Sequence, residues 1–271
     1  MPLDKKVSYP FGMPYVTSSG RRLYYEVAGE GFPLLMHHGF AQSAQSWIDA
    51  GWRDLLANRS RVITFDILGH GRSDTPHDIE AYRMEERMAD VVAVAEAAGA
   101  QRFDMLGFSL GGRVALGMAL QRPKYLRSLI VGGMHARATG LTADSMKRRT
   151  ATLRNGSVRA LRRALGLNAA ASRNLPDPDP EALALSDEGL LDWPGVVEEL
   201  RSLDMPTLMF VGEHDRMQPW VEQDAASIPG VEYICCPDVD HIGSFDRSDL
   251  AGSSVIKFLS GLGSAPGEVT A

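Results

Sequence analysis

Six short apolar runs alternate with segments of helical spacing, and this alternation limits the fold more than any other feature of the chain. The runs are Pro33 to His38, Arg61 to Asp66, Phe103 to Phe108, Leu126 to Val131, Thr207 to Val211 and Glu232 to Cys236. Each is nearly continuous in apolar character rather than alternating in polarity, as expected of strands covered on both faces. Helical spacing follows at about Ser46 to Ala57, Tyr82 to Ala98, Leu110 to Gln121, Trp220 to Ala226 and Leu250 to Ser260, with Gly99 and Pro123 at helix stops. Strand-helix alternation predicts an α/β fold: a mostly parallel central sheet with helices on both faces. Ahead of it, Tyr15 to Thr17 and Leu23 to Val27 flank Ser18-Ser19-Gly20, a β-hairpin pattern suited to an antiparallel sheet edge.

One interval interrupts the pattern. Residues 134–200 contain no strand pattern and read as short helices broken by Pro176, Pro178 and Pro180. The first half is basic (Arg137, Lys147, Arg148, Arg149, Arg154, Arg159, Arg162, Arg163, Arg173) and the second acidic (Asp177, Asp179, Glu181, Asp187, Glu188, Asp192). With Leu153, Leu161 and Leu165 forming an apolar face, the arginines read first as a solvated helix face. The other reading is recognition of an acidic substrate. The interval is expected to be a helical cap inserted over the C-terminal edge of the sheet. Residues 1–133 and 201–261 then form the core domain, and 262–271 a flexible tail.

At 271 residues the chain suits one such domain with a small insertion. A net charge of −6 argues against a nucleic-acid partner, which needs a basic footprint. Lys5 and Lys6 precede no apolar stretch of signal-peptide length, and no window approaches a membrane span. Cys235 and Cys236 are adjacent, so they suit neither an ordinary disulfide nor a metal knuckle, and they read as small core hydrophobes of a buried strand. A cytoplasmic protein with a small-molecule substrate, no membrane partner and no metal is expected; oligomeric state is open.

The chemistry centres on Gly107-Phe108-Ser109-Leu110-Gly111. GxSxG alone is a weak signal, but here an apolar strand runs into it and a helix starts out of it. Such a turn forces the serine towards positive φ, and the flanking glycines leave room for the tight crossing. The hydroxyl then projects at a helix N-terminus, where free N–H groups favour negative charge.

Further motifs follow in order: His38-Gly39-Phe40, the Phe65-Asp66 to Ser73-Asp74 stretch, Gly107 to Gly112, Gly212-Glu213-His214-Asp215, and Asp240-His241. Together, over about Arg21 to Leu259, the chain resembles the α/β-hydrolase superfamily, specifically its lid-bearing serine esterase and lactonase-like members. A serine at the elbow separates it from the similar epoxide hydrolases and haloalkane dehalogenases, which carry Asp there.

The resemblance implies the chain order nucleophile, acid, histidine. Ser109 is the nucleophile. Of the histidines at 37, 38, 70, 77, 135, 214 and 241, His241 fits the base, lying after the last strand; His135 and His214 fit less well. Asp215 fits the acid, with Glu213 and Asp240 as alternatives. The N–H groups of Phe40 and Leu110 are the expected oxyanion donors. His38 and the Asp66 to Asp74 turn read as scaffold. Trp47, Phe108, Met134 and Met217 are expected pocket liners. Arg113 departs from the small residue expected there and reads as pointing outward.

The expected reaction is cleavage of a small to medium carboxylic ester or lactone through an acyl-enzyme, without cofactor. The alternatives are carbon–carbon bond hydrolysis of a β-dicarbonyl or dienoate, acyl transfer or lyase chemistry with the same three residues, or a non-catalytic ligand receptor.

Overall fold

The computed structural model describes residues 14–139, 142–155 and 178–262. Its strands are β1 (Tyr15–Ser18), β2 (Arg21–Ala28), β3 (Pro33–His37), β4 (Arg61–Phe65), β5 (Phe103–Phe108), β6 (Leu126–Gly132), β7 (Thr207–Gly212) and β8 (Glu232–Cys236). The described helices are α1 (Ala44–Asp49), α2 (Trp52–Leu56), α3 (Met84–Ala97), α4 (Leu110–Gln121), α5 (Ala143–Arg154), α6 (Pro180–Glu188), α7 (Gln218–Ala225), α8 (His241–Asp246) and α9 (Ser248–Gly261). Arg159, Arg162, Arg163, Arg173, Leu161, Leu165, Pro176, Asp177 and most of the expected tail lie outside the described residues.

The strands form one sheet in the order β1-β2-β4-β3-β5-β6-β7-β8. From β4 to β8 every pairing is parallel, while β1 and β2 pair antiparallel at one edge. The hairpin closes through Ser19 and Gly20, both at positive φ (45° and 78°), as a tight two-residue β-turn requires.

Successive strand residues feed two apolar layers, because neighbouring side chains leave a strand on opposite faces. Leu35, Phe65, Met105 and Val131 pack with Val91 of α3 and Val114 of α4. Leu34, Met36, Leu106, Phe108 and Phe210 pack with Trp47, Trp52 and, from α9, Val255 and Phe258. Each fully buried Phe, Leu or Val contributes about 1.5–3 kcal/mol of transfer free energy, so the sheet is anchored independently on both sides.

Three expectations need correction. The helix over 46–57 is two helices, because Gly51 at φ 80° breaks the ladder between them. The run 232–236 is an edge strand with a single partner, so Cys235 is exposed and only Cys236 is buried. The short helix α8 between β8 and α9 was not anticipated.

Within 134–200, α5 and α6 pair with each other. Arg149 bonds Asp187, and Arg154 bonds Glu181 and Glu188, both at 2.7 Å. Among the described residues, Arg149 and Arg154 of the basic half thus pair with acidic residues of the second half while staying partly exposed, 48% and 33%. Beneath these pairs Leu153, Leu183 and Ala184 form a small apolar cluster packed on Phe40.

Candidate active site

The turn after β5 carries the expected strain. Ser109 has φ 55° and ψ −115°, a conformation costing a non-glycine residue about 1–3 kcal/mol. Its backbone is held from both sides: its N–H donates to Gly132 O (2.8 Å) and its carbonyl accepts from Arg113 N–H (3.1 Å). The neighbouring glycines are a steric necessity. A Cβ at Gly107 would lie 2.2 Å from Gly111 O, and one at Gly111 would lie 2.0 Å from His37 O.

Three side chains from three strand ends meet here. Ser109 Oγ is 3.0 Å from His241 Nε2, and His241 Nδ1 is 2.7 Å from Asp215 Oδ2. With its proton on Nδ1, the imidazole donates to the carboxylate and turns an Nε2 lone pair to the hydroxyl. The other carboxylate oxygen, Oδ1, accepts from Met217 N–H at 2.9 Å, which fixes the plane of the group. The Asp215 side chain is 2% exposed and that of His241 26%, so the acid is sealed while the imidazole edge stays reachable.

Local sequence sets the histidine. His241 is the first residue of α8, whose N-cap Asp240 accepts from Gly243 N–H at 2.8 Å. The Phe108 ring lies 5.0 Å from the imidazole. Gly133, at φ 56°, also lies against the imidazole: a Cβ there would stand 3.0 Å from both His241 Cε1 and Phe108 Cε2. Sequence reasoning missed the roles of Gly133 and the Met217 N–H; the Asp240 cap was a readable signal.

The loop after β3 runs against the serine. A Cβ at Gly39 would come within 2.7 Å of Gln42 Oε1 and 3.2 Å of Ser109 Cβ, so the glycine eases the close approach of this loop to the serine. His38 Nε2 accepts from Ile67 N–H (3.2 Å), and its Nδ1 donates to Gly39 O (2.8 Å). Burial holds His38 down to about 4 and His37 down to about 3, so both are neutral scaffold near pH 7. Asp66 accepts from Ala44 N–H (2.6 Å) and Arg72 N–H (2.9 Å), pinning the same loop, and its own burial raises it to about 6. The N–H groups of Phe40 and Leu110 donate to no acceptor among the described residues.

The competing candidates lie elsewhere. Glu213 is exposed and accepts from Asp238 N–H, while Asp240 is spent as a cap. Glu213, His214 and Asp238 bring possible metal-ligand atoms within 4.8 Å of one another, and all three are exposed. His135 accepts from Arg137 N–H at 3.1 Å. Two expected pocket liners are core residues. Trp47 is fully buried against Trp52 and Phe245, and Phe108 lies beneath His241. An aromatic near a motif suits a core as well as a pocket, which is why the sequence misled. Met134 is buried beside Gly112, and Met217 is half-buried beside the acid. Arg113 points inward, contrary to expectation, and is 8% exposed.

A family model for the alpha/beta hydrolase fold matches residues 33–171, more than half of the chain. The chain belongs to the α/β-hydrolase family. This α/β hydrolase superimposes on the enol-lactonase from Burkholderia xenovorans LB400 with a TM-score of 0.80 and 21% identity, over 91% of this chain and 100% of that one. The thermophilic esterase from Thermogutta terrifontis gives 0.79 and 22%, over 92% and 98%. In sequence, the chain is 35% identical over 121 residues to 2-hydroxymuconate semialdehyde hydrolase from Pseudomonas sp. strain CF600, covering 44% of this chain and 42% of that protein. The matches span less than half the length of the first two curated relatives, 42% and 47%. The two structural likenesses, both under 25% identity, establish the fold, and the first two curated relatives are described as a 2-hydroxymuconate semialdehyde hydrolase and a putative carbamate hydrolase. Among the described residues no helix is long and apolar enough to cross a membrane.

Proposed function

We propose that this α/β hydrolase cleaves a small to medium carboxylic ester or lactone through an acyl-enzyme on Ser109. The single observation that carries the proposal is the hydrogen-bonded chain from Ser109 through His241 to Asp215, at 3.0 and 2.7 Å.

In this reading His241 Nε2 takes the hydroxyl proton as Oγ attacks the carbonyl carbon. Asp215 holds the tautomer and stabilises the imidazolium that forms. The unspent N–H groups of Phe40 and Leu110 receive the oxyanion, Leu110 at the positive end of α4. His241 passes the proton to the leaving alcohol, and water then clears the acyl group by the same route. Residues 134–200 act as a cap; the contact of the α5–α6 cluster with Phe40 supports that role.

A second reading uses the same groups to hydrolyse a carbon–carbon bond in a β-dicarbonyl. The 35% identity to a semialdehyde hydrolase favours keeping it. Rapid quenching with 4-nitrophenyl acetate separates the two. The ester reading expects a nitrophenolate burst and one acetyl group on the peptide containing Ser109. Absence of both, with turnover of a vinylogous diketone, would support the second reading and overturn the first.

A further inference from the structure

Arg113 is a buried cation without a proper partner. Its Nη1 is buried and has no hydrogen-bond acceptor among the described residues. Its Nη2 reaches the Met134 sulfur at 3.5 Å, a weak acceptor, and the guanidinium lies 5.1 Å from the Trp193 ring centroid. A buried charged donor left unsatisfied is costly, so a protein that keeps one has a use for it.

No nearby carboxylate is free to serve it. Asp187 faces Arg149, Arg113 and Arg87, and it bonds Arg149 directly. Arg87 is fixed on Tyr82 O and Ser186 and faces Asp90. Arg113 is therefore the surplus charge of the group. Burial lowers it to about 10, so it remains a cation near pH 7. His135, beside it, is pushed down to about 4 by burial and then by Arg113 and Arg137, and stays neutral.

Its position is one helical turn from the nucleophile. Arg113 N–H closes the first turn of α4 on Ser109 O, and helix side chains lean back towards the N-terminus. Met134, which it touches, follows Gly133, the residue that lies against His241. Arg149, the neighbouring cation, lies 5.9 Å from the ring centroid of Phe40.

We infer that Arg113 determines specificity by receiving a carboxylate of the substrate, so that the ester or lactone cleaved here carries a second, ionised carboxyl group. The planar fork of a guanidinium matches a carboxylate, and the free Nη1 supplies the missing half of that match. The inference rests on the reading of Ser109 as nucleophile.

The test follows fluorophosphonate labelling of Ser109 in the presence of succinate, glutarate or adipate, or of the matching diamides. At least one dicarboxylate is expected to slow labelling of the parent by about tenfold or more, the effect of one charge-assisted hydrogen bond, while the diamides do not. Each variant is compared with itself, with and without the acid. Arg113→Met should lose the protection and Arg113→Lys should keep part of it. Equal behaviour of acids and amides in the parent overturns the inference without any variant. Undiminished protection in Arg113→Met overturns the assignment to Arg113. An unlabelled parent removes the reading of Ser109 itself, and the inference with it.

Discussion

Asp215→Asn probes the proposed proton relay at its most constrained point. Asp215 Oδ1 accepts from Met217 N–H at 2.9 Å and Oδ2 faces His241 Nδ1 at 2.7 Å. In the variant the amide oxygen keeps the Met217 bond, because an NH2 there would oppose a donor. The NH2 then faces Nδ1, which must present a lone pair, so the imidazole proton moves to Nε2. That nitrogen is the one facing Ser109 Oγ, and its basic lone pair is lost. The stabilising charge is lost as well. For a pair about 4 Å apart at an effective dielectric near 20 it amounts to about 4 kcal/mol, or roughly three decades in rate. With the wrong tautomer added, labelling by fluorophosphonate and ester kcat/KM should fall about 10³–10⁴-fold. Urea unfolding should stay cooperative, since the Met217 bond is preserved. A folded Asp215→Asn protein that loses less than about tenfold would refute the relay.

Further outcomes follow from the packing. Gly133→Ala combines a left-handed φ of 56° with a Cβ 3.0 Å from His241 Cε1. It should lower stability in urea by about 1–2 kcal/mol and reduce ester turnover by about tenfold through displacement of the imidazole; parent-like values for both would contradict this. Gly111→Ala drives a Cβ to within 2.0 Å of a backbone carbonyl and should cost more than about 4 kcal/mol, so a parent-like melting temperature would sink the elbow geometry. His135 has its folded pKa depressed from 6.5 to about 4, so its contribution to stability is complete above pH 6.5 and is lost as pH falls towards 4. Buried Asp90, raised to about 7, acts in the opposite sense, favouring the fold below about pH 4 and losing that contribution as pH rises through 7. Comparing the parent with His135→Gln cancels Asp90, and the variant should show a shallower fall in urea midpoint between pH 6.5 and 4; identical slopes would rule out a neutral buried His135.

The strands were legible because apolar runs such as Leu34 to Met36 and Phe103 to Phe108 are needed wherever a strand is covered on both faces. The same logic misread β8: Tyr233 to Cys236 is apolar too, but apolar character does not distinguish a central strand from an edge. The Gly51 break was hidden because a glycine within a helical pattern can be tolerated or can stop the helix. At the site, Ser109, His241 and Asp215 could be placed from motif order, since each follows a recognisable strand. Arg113 could not be oriented: a long cation on a helix near a motif faces solvent or substrate depending on a tertiary cover, here Met134 and Trp193. The pairing of Arg149 and Arg154 with Asp187, Glu181 and Glu188 likewise joins residues far apart in sequence, beyond any local pattern.

The most direct test of the central claim is intact-mass measurement of the parent and Ser109→Ala after exposure to a fluorophosphonate. An activated Ser109 predicts one adduct per parent molecule and none on the variant. A folded parent that takes up no adduct from either the fluorophosphonate or a smaller phosphonate, or a Ser109→Ala protein labelled as fast as the parent, would contradict it.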